Sequence, residues 1–449
     1  MRRDYERFAE EVLPASLENY LLDEYGLDIS AEYAGFPLKN PWGKGSGQLS
    51  MTARQVSEDI TAGLGFVVLK TVIAQDEHGG QSMAAWAIPE SRMVAERIVA
   101  QSGEKGWTIT WKGRGWWQSF EAYLQLIRDA QRLAAGSGTL IVPSCKYHLP
   151  SPDEPEWRVA EYDYTTRRLL EAWQCRPPTP CADGAVQGVR GRHAMPLEKD
   201  FSPTLAGSDR AAAQTKILEW LRAVPRLVRD SAATSGLGDV RIGLKLFNAL
   251  FDDEFQLDML KAIHGVGADR PDFFVWANRL FDPRREFEGH LGVAYGGPDL
   301  SDRNLRVLDR FLAATQRGEI ALPRIPWSAT GNITTGRMAV EYALRGASSF
   351  QLHTFFQLPA DQFSMKSGNR TQRALHELLF HPETGFVVWL WDVAQRLNQT
   401  SPPIRFLDIV GHGGDLATAS FGNPAATTLT KVTQERQWPT ASVLTSEFC

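Results

Sequence analysis

The chain has 449 residues, 43% of them hydrophobic, enough for one large α/β barrel or two to three smaller domains. Its formal net charge of −5, with the basic residues dispersed, argues against a nucleic-acid partner, which calls for a basic face. No apolar run reaches the roughly 18 residues of a membrane-spanning helix.

Residues 1–30 read as one or two amphipathic helices with no signal-peptide core. From 31 to 360, strands alternate with helical patterns, as in parallel βα units. Strands are expected at 36–47, 66–71, 107–111, 138–143, 240–247, 273–277, 325–330 and 348–353. Helical patterns fall between them, for instance Thr52–Ala62, Phe120–Ala135, Ile217–Ala232 and Arg337–Arg345. Residues 175–210, rich in Pro, Gly and Arg, read as an inserted loop, and 289–299 as a Gly-rich loop. Residues 361–449 form an extension that is helical at Arg373–Leu379 and Phe386–Leu397. Eight parallel strands with helices between them predict a (β/α)8 TIM barrel, with functional groups at the strand C-termini. A doubly wound sheet is the competitor, but no GxGxxG turn follows the first strand.

Cys145, Cys175, Cys181 and Cys449 form no CxxC pair, which speaks against a structural zinc, an iron–sulfur cluster or a disulfide framework. A reduced, cytoplasmic protein is the expectation. Chemistry concentrates at the strand ends. Thr330-Gly331-Asn332 closes a strand with a turn that tolerates positive φ, and a helix starts just beyond. Such a turn offers backbone N–H groups to a phosphate. Lys70 ends VVLKTV and Lys245 ends RIGLKLF. Each places an ammonium at the functional face, or snorkels to its rim. Cys145, in LIVPSCKYHLPS, reads as a proton carrier or as a small buried hydrophobe. His148, three residues on, is the rival proton carrier. Trp111, Lys112 and Arg114 end the third expected strand and would point into the same mouth.

Taken together, these segments resemble the dihydroorotate dehydrogenase-like FMN barrels over roughly residues 30–358. NPWGKGSG followed by VVLKTV is similar to that family's Asn-Pro…Ala-x-Gly…Thr-Lys-Ser pattern. Gly346-Ala347-Ser348 with Gln351 is similar to its Gly-Ala-Ser-x-x-Gln strand, and Gly331-Asn332 stands where it carries Gly-Gly. The resemblance implies bound FMN. Ser46 and Gly47 would pass under the flavin, and Lys70 and Lys245 would lie along it. Gly296, Gly297, Gly331, Asn332, His353 and Thr354 would cradle its phosphate. It also implies a base in the Asn-x-Ser-Cys-Pro-Asn loop after strand four, matched by Ser144-Cys145.

Val142 and Lys146-Tyr147 replace the asparagines that grip orotate in that family, so a substrate other than dihydroorotate is expected. Asn278 keeps one polar handle, and Lys146, Tyr147, Arg279, Lys112 and Arg114 could supply new ones. The expected activity is hydride exchange at a C–C bond beside a carbonyl in a small molecule. Electrons would leave to a diffusible acceptor or a partner reductase, and a homodimer is possible. The alternatives are a dihydrouridine synthase-like RNA reductase and a non-catalytic ligand-binding or scaffold barrel.

Overall fold

The computed structural model describes residues 1–89, 93–111, 115–151, 153–154, 156–174, 194–201, 210–248, 251–265, 267–287, 289–320 and 325–413. The expected surface cysteines Cys175 and Cys181, Cys449, Lys112 and Arg114 lie outside them.

Helices α1 (Arg2–Glu10) and α2 (Leu17–Tyr25) open the chain, followed by a short strand β1 (Leu27–Asp28) and a hairpin of β2 (Ala31–Tyr33) and β3 (Phe36–Leu38). β4 (Trp42–Lys44), α3 (Ala53–Thr61), β5 (Phe66–Val68) and β6 (Val72–Ile73) begin the βα alternation. An antiparallel hairpin of β7 (Met93–Val99) and β8 (Lys105–Trp111) interrupts it. The chain resumes with α4 (Phe120–Ala134), β9 (Leu140–Val142), β10 (Ser144–Lys146), α5 (Val159–Gln174) and β11 (Met195–Asp200). Then come α6 (Arg210–Ser235), β12 (Val240–Phe247), α7 (Asp253–His264) and β13 (Phe273–Asn278). A second antiparallel hairpin, β14 (Leu280–Phe287) with β15 (His290–Tyr295), precedes α8 (Pro298–Gln316), β16 (Trp327–Thr330), α9 (Gly336–Leu344) and β17 (Ala347–Leu352). Beyond these lie α10 (Arg370–Phe380), α11 (Phe386–Arg396) and β18 (Ile404–Arg405).

Ten strands form one parallel sheet in the order β6-β10-β11-β12-β13-β16-β17-β4-β5-β9. Segment 66–73 carries both β5 and β6, and segment 140–146 both β9 and β10, so the two ends of this order draw on the same two stretches of chain. The sheet is curled in the manner of a TIM barrel, and helices cover its outer face. Among the described residues no helix is long and apolar enough to cross a membrane.

Three expectations are corrected. Residues 107–111 do not join the parallel sheet; they are half of the β7–β8 hairpin. Their sequence Trp-Thr-Ile-Thr-Trp alternates large and polar side chains, the period of a hairpin with two unlike faces. The sheet strand is β11, inside the stretch expected to be an inserted loop. MPLEKD hides as a strand because Glu198 and Lys199, both fully buried, are charged. The expected loop at 289–299 likewise contains β15 and the start of α8.

The interior of the sheet is filled by glycine against aromatic. A Cβ at Gly43 would fall 2.3 Å from the Phe66 ring, and one at Gly243 would fall 2.1 Å from the Phe273 ring. Only glycine leaves room for those rings. Tyr33, from the β2–β3 hairpin, packs on both, at 4.6 and 4.8 Å between centroids. Outside, Phe350 and Trp42 pack on Phe386 of α11. The extension is tied in further where buried Lys44 bonds Asp59 of α3 and Thr371 of α10, and where β1 pairs with β18.

Candidate functional site

A cleft of about 910 Å³, counted to its open mouth, lies at the C-terminal ends of the parallel strands. This is where the fold concentrates unpaired strand ends and βα turns. Expected cofactor positions from six separate segments meet there: Ser46, Lys70, Lys245, Gly296-Gly297, Gly331-Asn332 and His353-Thr354. The expected substrate residues Asn278 and Arg279 line it too.

At one end the walls are turns. Gly297 has φ 94°, Gly331 φ 108° and Asn332 φ 53°, so this pair adopts the left-handed backbone that the turn needs. Asn332 donates its Nδ2 to Ser301 Oγ at 2.9 Å, which turns its side chain to α8. A Cβ on Gly331 would meet Asn304 Nδ2 at 2.7 Å. Gly47 does not line the cleft itself; it lies behind His353, whose Nε2 would be 2.0 Å from a Cβ at 47.

The middle is cationic. Lys70 and Lys245 line it, with Lys146 buried nearby, 3.6 Å from Asp200 and over the Trp86 ring. Burial, and then the positive fields of Lys245, Lys146 and Arg279 against the pull of Asp200, bring Lys70 down to about 7. Burial and then Arg279, Lys70 and Lys245 hold His353 well below the ordinary histidine range, so its ring is neutral. Thr71 bridges the floor, its Oγ1 lying 2.7 Å from Ser46 Oγ and 3.0 Å from Ser144 Oγ.

The mouth is roofed by the two hairpins. Arg279 donates from one guanidinium nitrogen to the carbonyls of Ile109 (2.9 Å) and Ala294 (3.2 Å), and burial lowers it to about 9. Gly296 N donates to Thr108 Oγ1, and Trp107 lines the opening.

The structure does not bring Cys145, Tyr147 and His148 to the cleft. Alternation along β10 sends Ser144 and Lys146 inward and Cys145 outward, between the sheet and its helices. The thiol is fully buried and pushed far up by that burial, so it neither reaches the cleft nor ionises readily. Tyr147 stacks on Tyr162 of α5 at 4.6 Å, with its hydroxyl 2.8 Å from Thr166 Oγ1. His148 Nδ1 accepts from Arg158 N, so its proton sits on Nε2 and is donated to Glu154 at 3.0 Å. These are packing and loop-tying roles. Among the cleft residues missed from sequence are Thr71 and Asp200, whose contacts span long sequence separations.

No protein-family profile matches the sequence, and no curated protein matches it significantly. Among solved structures, the dihydroorotate dehydrogenase of Eimeria tenella, determined in complex with ferulenol, matches with a TM-score of 0.56. The match covers 92% of this chain and 94% of that one at 13% sequence identity. At that identity the likeness is one of fold: the chain has a dihydroorotate dehydrogenase-like fold.

Proposed function

We propose that this protein is an FMN-dependent oxidoreductase built on a closed (β/α)8 barrel, with segments 66–73 and 140–146 each forming one stave. The observation that carries the reading is the meeting in one cleft of cofactor positions drawn from six separate segments. The residues fit the group. At Gly297 and Gly331 a side chain would strike Ile98 and Asn304, so only glycine keeps these turns in place, and Asn332 turns its own side chain away to Ser301. The backbone of these turns and of His353-Thr354 would hold the phosphate. Ser46 and Thr71 would face the ring system, and Lys70 and Lys245 would hold positive charge beside its pyrimidine edge. When bound there, FMN supplies hydride acceptance and donation at N5.

The chain's own part is to orient substrate, exclude water and move a proton. Arg279, fixed by two carbonyls under the hairpins, and Asn278 face the open side of the cleft and suit a carbonyl or carboxylate. Asp200 offers an acceptor beside them. Cys145 leaves the list of proton carriers. With β11 as the fourth stave, the loop that the resemblance assigns to the base begins Asp200-Phe201-Ser202-Pro203. It keeps the Ser and Pro of the family pattern and lacks its Cys. Ser202 is the proposed proton carrier, on sequence pattern alone, since 202–209 lie outside the described residues. The reaction class is oxidation or reduction of a C–C bond next to a carbonyl, with a small-molecule substrate and a diffusible acceptor or partner reductase. Anaerobic mixing of FMN-loaded protein with a panel of saturated carbonyl compounds, followed at the flavin band, tests this. Bleaching by a member of the panel is expected. No bleaching by any of them, and no reoxidation of chemically reduced protein by their unsaturated partners, would refute it.

A further inference from the structure

Beneath the cleft lies a carboxylate that the proposed chemistry leaves unused. Glu198, inside the barrel on β11, has no solvent exposure. Its Oε2 accepts from Gln351 Nε2 at 2.6 Å and from the Tyr33 hydroxyl at 3.1 Å. Its Oε1 faces Lys245 Nζ at 3.3 Å. Gln351 closes the loop: its Oε1 accepts from Lys245 at 3.3 Å while its Nε2 also reaches Tyr33. Tyr33 comes from the hairpin that plugs the opposite end of the barrel, and burial with the Glu198 charge keeps its phenol protonated, a permanent donor.

The arrangement has a direction. Below Lys245 lie an acceptor, Gln351 Oε1, and an ion-pair partner, Glu198 Oε1, and above it lies the cleft. The bond and the opposite charge beneath hold the ammonium in place, which leaves its remaining N–H groups for the cleft. Burying an ion pair is costly, and hydrophobic residues would fill the space as well. A buried carboxylate here stabilises little by itself; what it does is hold a neighbouring ammonium charged and aimed in an interior that also contains Lys70, Lys146 and Arg279.

We propose that Glu198 is a positioning residue that acts through Lys245, keeping its ammonium charged and pointed into the cleft, and so sets how strongly the site favours an anionic, reduced flavin. This rests on the FMN reading above. It predicts which form of the cofactor is bound more tightly, a property separate from turnover.

The test is the midpoint potential of bound FMN at pH 8 in wild type, E198Q, K245M and the double variant, with FMN loading of wild type as control. An ammonium stripped of the carboxylate that pairs with it is no longer held toward the cleft. A lost charged hydrogen bond is worth roughly tenfold or more in binding. E198Q should therefore weaken reduced relative to oxidised FMN by about tenfold, a fall of about 30 mV for a two-electron couple. K245M should show at least the same fall, and E198Q should add nothing to it. A rise in potential in E198Q would mean that Glu198 acts as a bare negative charge and would overturn the proposal. So would an unchanged potential, or an equal effect in the K245M background. If E198Q does not fold, E198D keeps the charge but withdraws it by one methylene; a smaller fall in the same direction is expected, and none overturns the idea. Wild type that takes up no FMN refutes the oxidoreductase reading itself, an outcome distinct from these.

Discussion

Lys70 makes a quantitative link between the cleft and stability. Its folded-state value of about 7 lies well below the 10.5 of an ordinary lysine. Below pH 7 both folded and unfolded chains carry this proton, and folding bears the full cost of burying the charge. Between pH 7 and 10 the unfolded chain holds the proton and the folded chain does not, so this residue makes stability rise with pH, by about 1.4 kcal/mol per unit. Lys70→Met removes the group. In the FMN-free protein the variant should be more stable than wild type at pH 6. That advantage should shrink by about 2 kcal/mol between pH 7 and pH 9. Urea unfolding of both proteins at unit pH intervals reads this as a difference of differences, in which groups common to both cancel. The same linkage acts on binding: an anionic ligand that needs the protonated Lys70 loses affinity above pH 7, by up to about tenfold per unit, and the slope flattens in K70M. A stability gap that is the same at pH 6 and pH 9 would refute the account of Lys70 as a buried, charge-depleted lysine.

Other substitutions separate packing from chemistry. Cys145→Ala should cost about 1–2 kcal/mol, as a small void under the helices, and leave FMN content and flavin reduction by substrate unchanged; slowed reduction would restore Cys145 as the base. Ser202→Ala should keep FMN and slow reduction by about 10²–10⁴-fold, as stopped-flow absorbance would show. Gly47→Ala forces a Cβ against the buried His353 ring at 2.0 Å. It should cost about 1–3 kcal/mol by thermal melting and lower FMN occupancy. Gly45→Ala, whose Cβ would find its nearest neighbours at 3.6 Å, should be tolerated.

The turns were legible because their signal is local. Glycines at 296, 297 and 331 sit next to strand ends and helix starts, and the backbone that they need is written in three or four adjacent residues. Lys70 and Lys245 were legible for a similar reason, since a lysine closing an apolar run marks a strand's rim. The strand count failed where periodicity is ambiguous. Residues 107–111 spell a strand without saying which sheet it joins, and β11 carries charges whose partners are remote. Glu198 meets Gln351 across 153 residues and Tyr33 across 165. Counting 107–111 as a sheet strand made 138–143 the fourth, and so placed the expected base motif on Cys145. The side of the strand decided the matter: once Ser144 faces Thr71 in the cleft, period-two alternation sends Cys145 to the helices. The motif proposed above for the base, Asp200-Phe201-Ser202-Pro203, follows β11.

The most direct test of the central claim is the absorption spectrum of the protein as purified, followed by release and identification of whatever colours it. The account predicts a flavin spectrum, with FMN in the supernatant at about one per chain, and its loss in a Gly331→Ala variant, whose Cβ would strike Asn304 and displace the turn. A colourless protein that also fails to take up added FMN would contradict it and would leave the cleft as a binding site for some other anion.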